Sequence, residues 1–171
     1  MDLLNMYTFS QLVVLGKPAA EAVLRGAELA PEVRGTVRFY NAGAGTMVVA
    51  EVFGLPSSIH KGSDILPAGP FHGMHVHSGE SCGPGTGDDP FALSGGHFDL
   101  GNHPHPLHTG DLPPLLSNDG YAYLACYTDR FTPAQVVGRT LIVHQSPDDF
   151  RTQPAGNSGL KIACGHIAAM N

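Results

Sequence analysis

Short segments in which apolar and polar positions alternate, or in which β-branched and aromatic residues are enriched, recur along the chain. They lie at residues 35–40, 46–53, 74–77, 121–127 and 140–144, and Gly-, Pro- and Asn-rich sequences separate them. This pattern predicts short β-strands joined by turns, as in a β-sandwich or barrel. Residues 19–29 fit a helix, because Ala, Glu and Leu favour one, or an edge strand, which we prefer. We therefore expect an all-β protein.

The composition limits the classes of protein that the chain can represent. Its 171 residues suffice for one domain with a core, and its 22 Gly and 14 Pro argue against a helical bundle. The formal net charge of -6 disfavours binding to nucleic acids or anionic membranes. No apolar run approaches the roughly 18 residues of a membrane span, and Asp2 stands where a secretory signal would be basic. We therefore expect a cytoplasmic protein without nucleic-acid or membrane partners.

Histidines are concentrated in one part of the chain. Seven of the ten lie between His72 and His108, and an eighth, His144, ends a predicted strand. His75 and His77 are two residues apart on a predicted strand, so both imidazoles lie on one face, as two ligands of one metal require. Further candidate ligands follow in a long predicted loop at residues 78–116: His97, His103, His105, His108 and Asp111. Imidazole with carboxylate suits zinc or copper better than calcium or magnesium. An H-x-H pair also occurs in cupins, which are the minor fold alternative.

Five motifs occur in the same order as in one known family. They are GMHVH at 73–77, GGHFD at 95–99, HTGDLP at 108–113, GRTLIVH at 138–144 and GNSGLKIACG at 156–165. With these motifs, residues 21–168 resemble the copper/zinc superoxide dismutase family. The resemblance implies a Greek-key β-sandwich or flattened barrel with long metal-binding loops, at residues 19–171 after an N-terminal extension at 1–18. It also implies an oxidoreductase that disproportionates superoxide to oxygen and hydrogen peroxide at a copper centre bridged by histidine to a structural zinc.

The resemblance gives each candidate ligand a role. Copper would be bound by His75, His77, His97 and His144. Zinc would be bound by His97, His105, His108 and Asp111, with His103 as the alternative to His105. Asp148 would hydrogen-bond one copper histidine and one zinc histidine and so fix their tautomers; without the resemblance, it would be interpreted as a solvated loop acid. Cys82 and Cys164 would form a disulfide.

Two residues carry expectations about catalysis. The bridging His97 would take up a proton and supply it to peroxide, for which the near-neutral pKa of histidine is suited. Lys161 stands where the family has a channel arginine, and Ala155 where it has a threonine. Lysine keeps the positive charge but lacks the planar fork of donors. We therefore expect a functioning dismutase that is slower than typical members.

The same departures leave two other interpretations open. One is a non-catalytic copper- and zinc-binding protein that buffers or delivers copper, and the other is a zinc protein with a vacant copper site. For the enzyme, we expect the superoxide anion as substrate and a homodimer as the candidate assembly. Outside the motifs, we expect Cys126 in the core, His60 and His166 as structural or surface groups, and His72 on the strand face opposite His75.

Overall fold

The computed structural model describes residues 11–13, 15–61, 64–83, 85 and 89–171; the side chains of residues 60, 61, 65 and 66 also lie outside this description. Within these ranges the chain forms eleven strands: β1 Ala20–Gly26, β2 Arg34–Ala42, β3 Gly45–Phe53, β4 Ser58–Lys61, β5 Asp64–Pro67, β6 Phe71–His72, β7 Met74–His77, β8 Leu115–Leu116, β9 Ala122–Thr128, β10 Thr140–His144 and β11 Lys161–Ala169. A 3₁₀ turn at Ala92–Ser94 and a one-turn helix at Pro133–Val136 lie between strands.

Seven of these strands form one antiparallel sheet in the order β7-β10-β11-β1-β2-β3-β9. The chain runs through β1, β2 and β3, crosses to the far edge for β7, returns for β9 and crosses again for β10. Phe39 and Val48 from one end of the sheet share a core cluster with Val76 and Leu141 from the other end. The sheet therefore curls around its own core as a half-barrel. The predicted all-β, Greek-key class is confirmed.

The predicted strands agree closely with the observed ones. β7 and β10 have the predicted bounds, β2, β3 and β9 differ by one or two residues at their ends, and the ambiguous segment at 19–29 contains β1. Strand β11 was not predicted from local pattern, because it is rich in Ala and Gly. Small residues are required there, since a Cβ at Gly165 would lie 2.8 Å from the Val23 carbonyl oxygen of neighbouring β1.

Part of the sheet's outer face is covered by the N-terminal segment. Tyr40, Met47 and Val49 form a buried cluster there, and Leu12 and Val13 pack against it. This covering explains why β3 is buried on both faces instead of alternating. The predicted extension at residues 1–18 falls largely outside the described residues, and its boundary at residue 19 stays a prediction.

A disulfide joins Cys82, in the loop after β7, to Cys164 on β11, as the family resemblance implied. The bond closes a loop of 82 residues. Closing a loop of that length restricts the unfolded chain and stabilises the fold by about 4 kcal/mol.

Cys126 faces the core cluster, as predicted, and burial raises the pKa of its thiol to about 11. Among the described residues, no helix is both long enough and apolar enough to cross a bilayer.

Candidate metal centre

Four histidines converge at one end of the half-barrel, and we call them the first group: His75, His77, His97 and His144. His75 and His77 project from the same face of β7, and His144 ends the neighbouring strand β10 at a register shift. His97 comes from the long loop and forms an isolated bridge with His77. Their candidate ligand atoms all lie within 4.8 Å of one another. His77 Nε2 and His144 Nε2 are 3.4 Å apart, so these two nitrogens face a common point.

A second group adjoins the first and shares one of its members: His97, His105, His108 and Asp111. The Asp111 carboxylate is its centre. Its Oδ1 lies 2.7 Å from His97 Nδ1, and its Oδ2 lies 3.1 Å from His105 Nδ1 and 3.3 Å from His108 Nδ1. One histidine, His97, therefore contributes to both groups, with Nδ1 directed toward Asp111.

The donor atoms in both groups fit metal ions. Four ring nitrogens there are buried and make no hydrogen bond within the described part of the chain, although the last two lie close to Asp111 Oδ2: His75 Nδ1, His97 Nε2, His105 Nδ1 and His108 Nδ1. An unpaired buried polar atom costs roughly 1–3 kcal/mol, so such atoms rarely occur together without a ligand. Neutral imidazole nitrogens bind copper and zinc well, and three imidazoles with one carboxylate suit a closed tetrahedral zinc site.

Asp148 connects the two groups, because its carboxylate accepts a hydrogen bond from one histidine of each. His75 Nε2 donates to its Oδ2 at 3.0 Å, and His105 Nε2 donates to its Oδ1 at 2.8 Å. These bonds place the proton of each ring on Nε2 and leave Nδ1 available to a metal. Burial raises the pKa of Asp148, but hydrogen bonds from His75, the Phe150 N–H and His105 outweigh it and lower the pKa to about 2. Asp148 is therefore an ionised acceptor at neutral pH, and the solvated-acid alternative does not describe it.

Asp148 approaches His105 closely because residue 156 is glycine. A Cβ at Gly156 would overlap the Asp148 carboxylate and lie 2.8 Å from His105 Nε2. The φ of +66° also favours glycine there. Gly156 is the first residue of the GNSGLKIACG motif. Glycine is favoured at this position both by the turn and by the steric contact with Asp148 and His105.

Backbone carbonyls orient two histidines of the first group. His77 Nδ1 donates to the Gly95 carbonyl at 2.8 Å, and His144 Nδ1 lies 3.4 Å from the Gly159 carbonyl. Both contacts leave Nε2 facing the other histidines. His72 lies outside both groups, and its buried ring donates from Nδ1 to the His144 carbonyl at 2.9 Å. This role of His72 in holding the end of β10 was not foreseen from the sequence.

The two zinc-ligand alternatives differ in position. His105 is buried in the second group, whereas the side chain of His103 is 51% exposed and bonded to Asp99 through both its backbone N–H and its Nδ1. Of the other histidines, His166 is exposed, as expected, and the side chain of His60 lies outside the described residues.

Two side chains that hold the second group were not identified from the sequence. The Gln153 amide accepts from the His105 N–H at 3.0 Å and donates to the His105 carbonyl at 2.6 Å. Arg130 donates to the carbonyls of Pro106 and His108. Both contacts join residues more than 20 positions apart, so no local motif could have indicated them.

Burial favours the neutral form of three first-group histidines, His77, His97 and His144. It lowers the pKa of His77 and His144 well below the ordinary value, and neighbouring histidines add to the effect. Burial also lowers the pKa of His97 to about 4, although the Asp111 carboxylate opposes this shift. The neutral imidazole is the form that binds metals, so these rings do not have to lose a proton before they can bind a metal at neutral pH.

We expect the free energy of unfolding of the metal-free protein to fall as the pH drops from about 6.5 to about 4. In this window the unfolded chain binds protons on histidines that the folded chain keeps neutral, so protonation favours unfolding. For His97, with a pKa of about 4, the loss amounts to about 3 kcal/mol. Urea denaturation of the metal-free protein across this range measures it. Equal stability at both ends of the range would contradict the expectation.

A cavity of about 460 Å³ opens over the first group. Its lining includes His77, His97 and His144, with Ala155 and Lys161 from the segment that begins after β10. A small anion could therefore reach the first group from solvent. The second group is less accessible, since only His97 and His108 of its members line this cavity.

Comparison with known proteins identifies the family. A profile described as "Copper/zinc superoxide dismutase (SODC)" matches residues 33–167. A protein of Deinococcus radiodurans named "Superoxide dismutase [Cu-Zn]" is 38% identical over 174 residues, which cover 92% of this chain and 88% of that protein. A protein of the same name from Brucella abortus is 34% identical and covers 77% of this chain and 87% of its own length.

A solved structure agrees with these relatives. The structure titled "Cu/Zn superoxide dismutase from Brucella abortus" superposes with a TM-score of 0.70 at 30% sequence identity, covering 86% of this chain and 98% of that chain. Fold and sequence therefore lead to the same conclusion. The chain belongs to the copper/zinc superoxide dismutase family.

Proposed function

We propose that this protein is a superoxide dismutase that holds copper in the first group and zinc in the second. The observation that carries the proposal is the position of His97, which is a member of both adjoining groups and directs its Nδ1 toward Asp111. The reaction converts two superoxide anions and two protons into oxygen and hydrogen peroxide. One superoxide is oxidised and the other reduced, so electrons balance without a further reductant.

The choice of metal for each group follows from the donor atoms and from access. The first group offers four imidazoles, a donor set that suits copper, and it lines the cavity. The second group offers three imidazoles and a carboxylate, which suffice to fill the four positions of a closed tetrahedral zinc site. Copper, when bound, supplies reversible one-electron chemistry, whereas zinc has no accessible redox change.

The chain's own residues would hold the ligands and move one proton. Asp148 keeps the protons of His75 and His105 on Nε2 and so presents Nδ1 of each ring toward the metals. We assign His97 Nε2, which has no hydrogen-bond partner among the described residues, as the atom that takes up a proton and gives it to peroxide. His97 lines the cavity, so this atom is close to where the substrate arrives.

Lys161 supplies the positive charge in the cavity, in place of the arginine of related enzymes. Its Nζ is bonded to the Asp89 carboxylate at 2.9 Å. Because this charge is paired and lacks the guanidinium fork, we propose a slower enzyme than typical members. The same ion pair favours the second candidate function, a non-catalytic protein that buffers or delivers copper, because such a protein does not need a positive charge that attracts superoxide.

Reconstitution with one copper and one zinc per chain tests the proposal. We expect elemental analysis to give about two metals per chain and the protein to disproportionate superoxide. The His103→Ala variant is the control, because His103 is exposed and outside both groups, and it should match the parent in metal content and rate. Two bound metals without turnover would reject the enzyme and favour the copper-handling alternative.

The cytoplasmic location and the homodimer stay proposals. A structural disulfide such as Cys82–Cys164 is more typical of oxidising compartments, so cell fractionation is a stringent test of the location. Analytical ultracentrifugation of the reconstituted protein tests the assembly: a sedimentation mass of twice 17.9 kDa would support the dimer, and a mass of 17.9 kDa would reject it.

A further inference from the structure

The charged side chains among the described residues of the cavity lining are Lys161 and Asp89. They have opposite signs, and Lys161 Nζ lies 2.9 Å from Asp89 Oδ2. The Asp89 side chain is 43% exposed and the Lys161 side chain 14%. The carboxylate is therefore the more accessible of the two groups, and the pair adds no net charge to the cavity.

The ammonium of Lys161 has an acceptor for each of its three protons. Besides Asp89, it donates to the carbonyls of Phe91 and Gly95, both at 3.3 Å. Lysine has three donors and no more. An incoming anion must therefore displace one of these acceptors before it can accept a hydrogen bond from Lys161.

The position of Asp89 is fixed by its surroundings. Its Oδ1 accepts from the Phe91 N–H at 3.3 Å, while Oδ2 faces Lys161. The loop that carries it is tied by Cys82 to Cys164, three residues after Lys161 on β11. The ion pair is thus part of the folded cavity and not an encounter of two free surface chains.

We propose that Asp89 sets the affinity of this cavity for anions, and that its carboxylate weakens the attraction of superoxide by neutralising Lys161. The inference rests on the proposed function and adds a residue that limits its rate. A pair of opposite charges has a field that falls more steeply with distance than that of a single cation. Steering of an anion by unpaired charge raises association rates by roughly 10-fold or more and is screened by salt.

The Asp89→Asn variant of the protein loaded with copper and zinc tests this role. Asparagine keeps an oxygen that can accept from the Phe91 N–H but carries no charge. We expect the dissociation constant for azide, followed by the change in the copper visible spectrum, to fall by about 3- to 10-fold. We expect kcat/KM for superoxide to rise by a similar factor at low ionic strength, and the gain to vanish near 1 M salt, where the Debye length is about 3 Å.

A matched control is Glu80→Gln, which removes one negative charge from an exposed residue of the same loop that does not line the cavity. It should change azide affinity by less than about 2-fold.

If Asp89→Asn fails to fold, Asp89→Ser keeps an acceptor for the Phe91 N–H and serves as the second variant. Azide binding in the variant that is unchanged or weaker would overturn the inference. A parent without turnover, combined with tighter azide binding in the variant, would reject the proposed function and leave this inference standing.

Discussion

The His144→Ala variant should keep zinc, lose copper and lose at least about 100-fold of its dismutase activity. His144 belongs to the first group alone, and its ring contacts no member of the second group except the shared His97. Loss of an outer partner of a metal ligand costs about 10- to 100-fold in affinity or activity, and loss of the ligand itself should cost more. Elemental analysis after dialysis, together with the dismutase rate, measures both effects.

His108→Ala is the reciprocal variant. His108 belongs to the second group alone, so its loss should release zinc and leave copper bound. His103→Ala removes an imidazole from the same loop without touching either group and should retain both metals. Loss of zinc from His144→Ala with copper retained would reverse the proposed assignment of metals to groups.

Asp148→Asn should weaken both sites at once. The carboxylate accepts from one histidine of each group, and the isosteric amide presents an N–H to one of these two ring N–H groups. One ring must then lose its bond or change tautomer, which withdraws its Nδ1 lone pair from the metal. We expect metal affinity and dismutase rate to fall by about 10- to 100-fold, measured by competition with a chelator and by turnover at saturating metal.

Asp149→Asn is the matched control for this variant. The neighbouring carboxylate bonds to Thr152 and to the Arg151 N–H, and it contacts neither histidine group. Both substitutions remove one negative charge from the same turn, so an electrostatic effect alone would appear in both. Equal losses in the two variants would show that the contacts of Asp148 with His75 and His105 are not responsible.

Local sequence determined most of the fold. Alternation of apolar and polar residues predicted the strands around the first group, including β7 and β10, whose bounds are as expected. Strand β11 lacks this signal, because its small residues are required by the close approach of β1 at Gly165. Strands β4 and β5 lie in a segment rich in Gly, Pro and Ser, where no strand pattern stands out.

Motifs in the sequence predicted the members of the candidate site but not the long-range contacts that position them. The motifs and the family resemblance named every residue of the two groups, but they left His103 and His105 as alternatives. The structure places His105 in the second group through Asp148 and Gln153, which lie more than 40 residues away in the chain. The pairing of Lys161 with Asp89 was missed for the same reason, since no spacing rule connects a strand residue to a loop 72 positions earlier.

The most direct test of this account is anomalous diffraction at the copper and zinc absorption edges from crystals of the reconstituted protein. We expect one copper peak among His75, His77, His97 and His144, and one zinc peak among His97, His105, His108 and Asp111. His97 should contribute to both positions. A single metal position, two metals that do not share His97, or zinc bound to His103 would contradict the account.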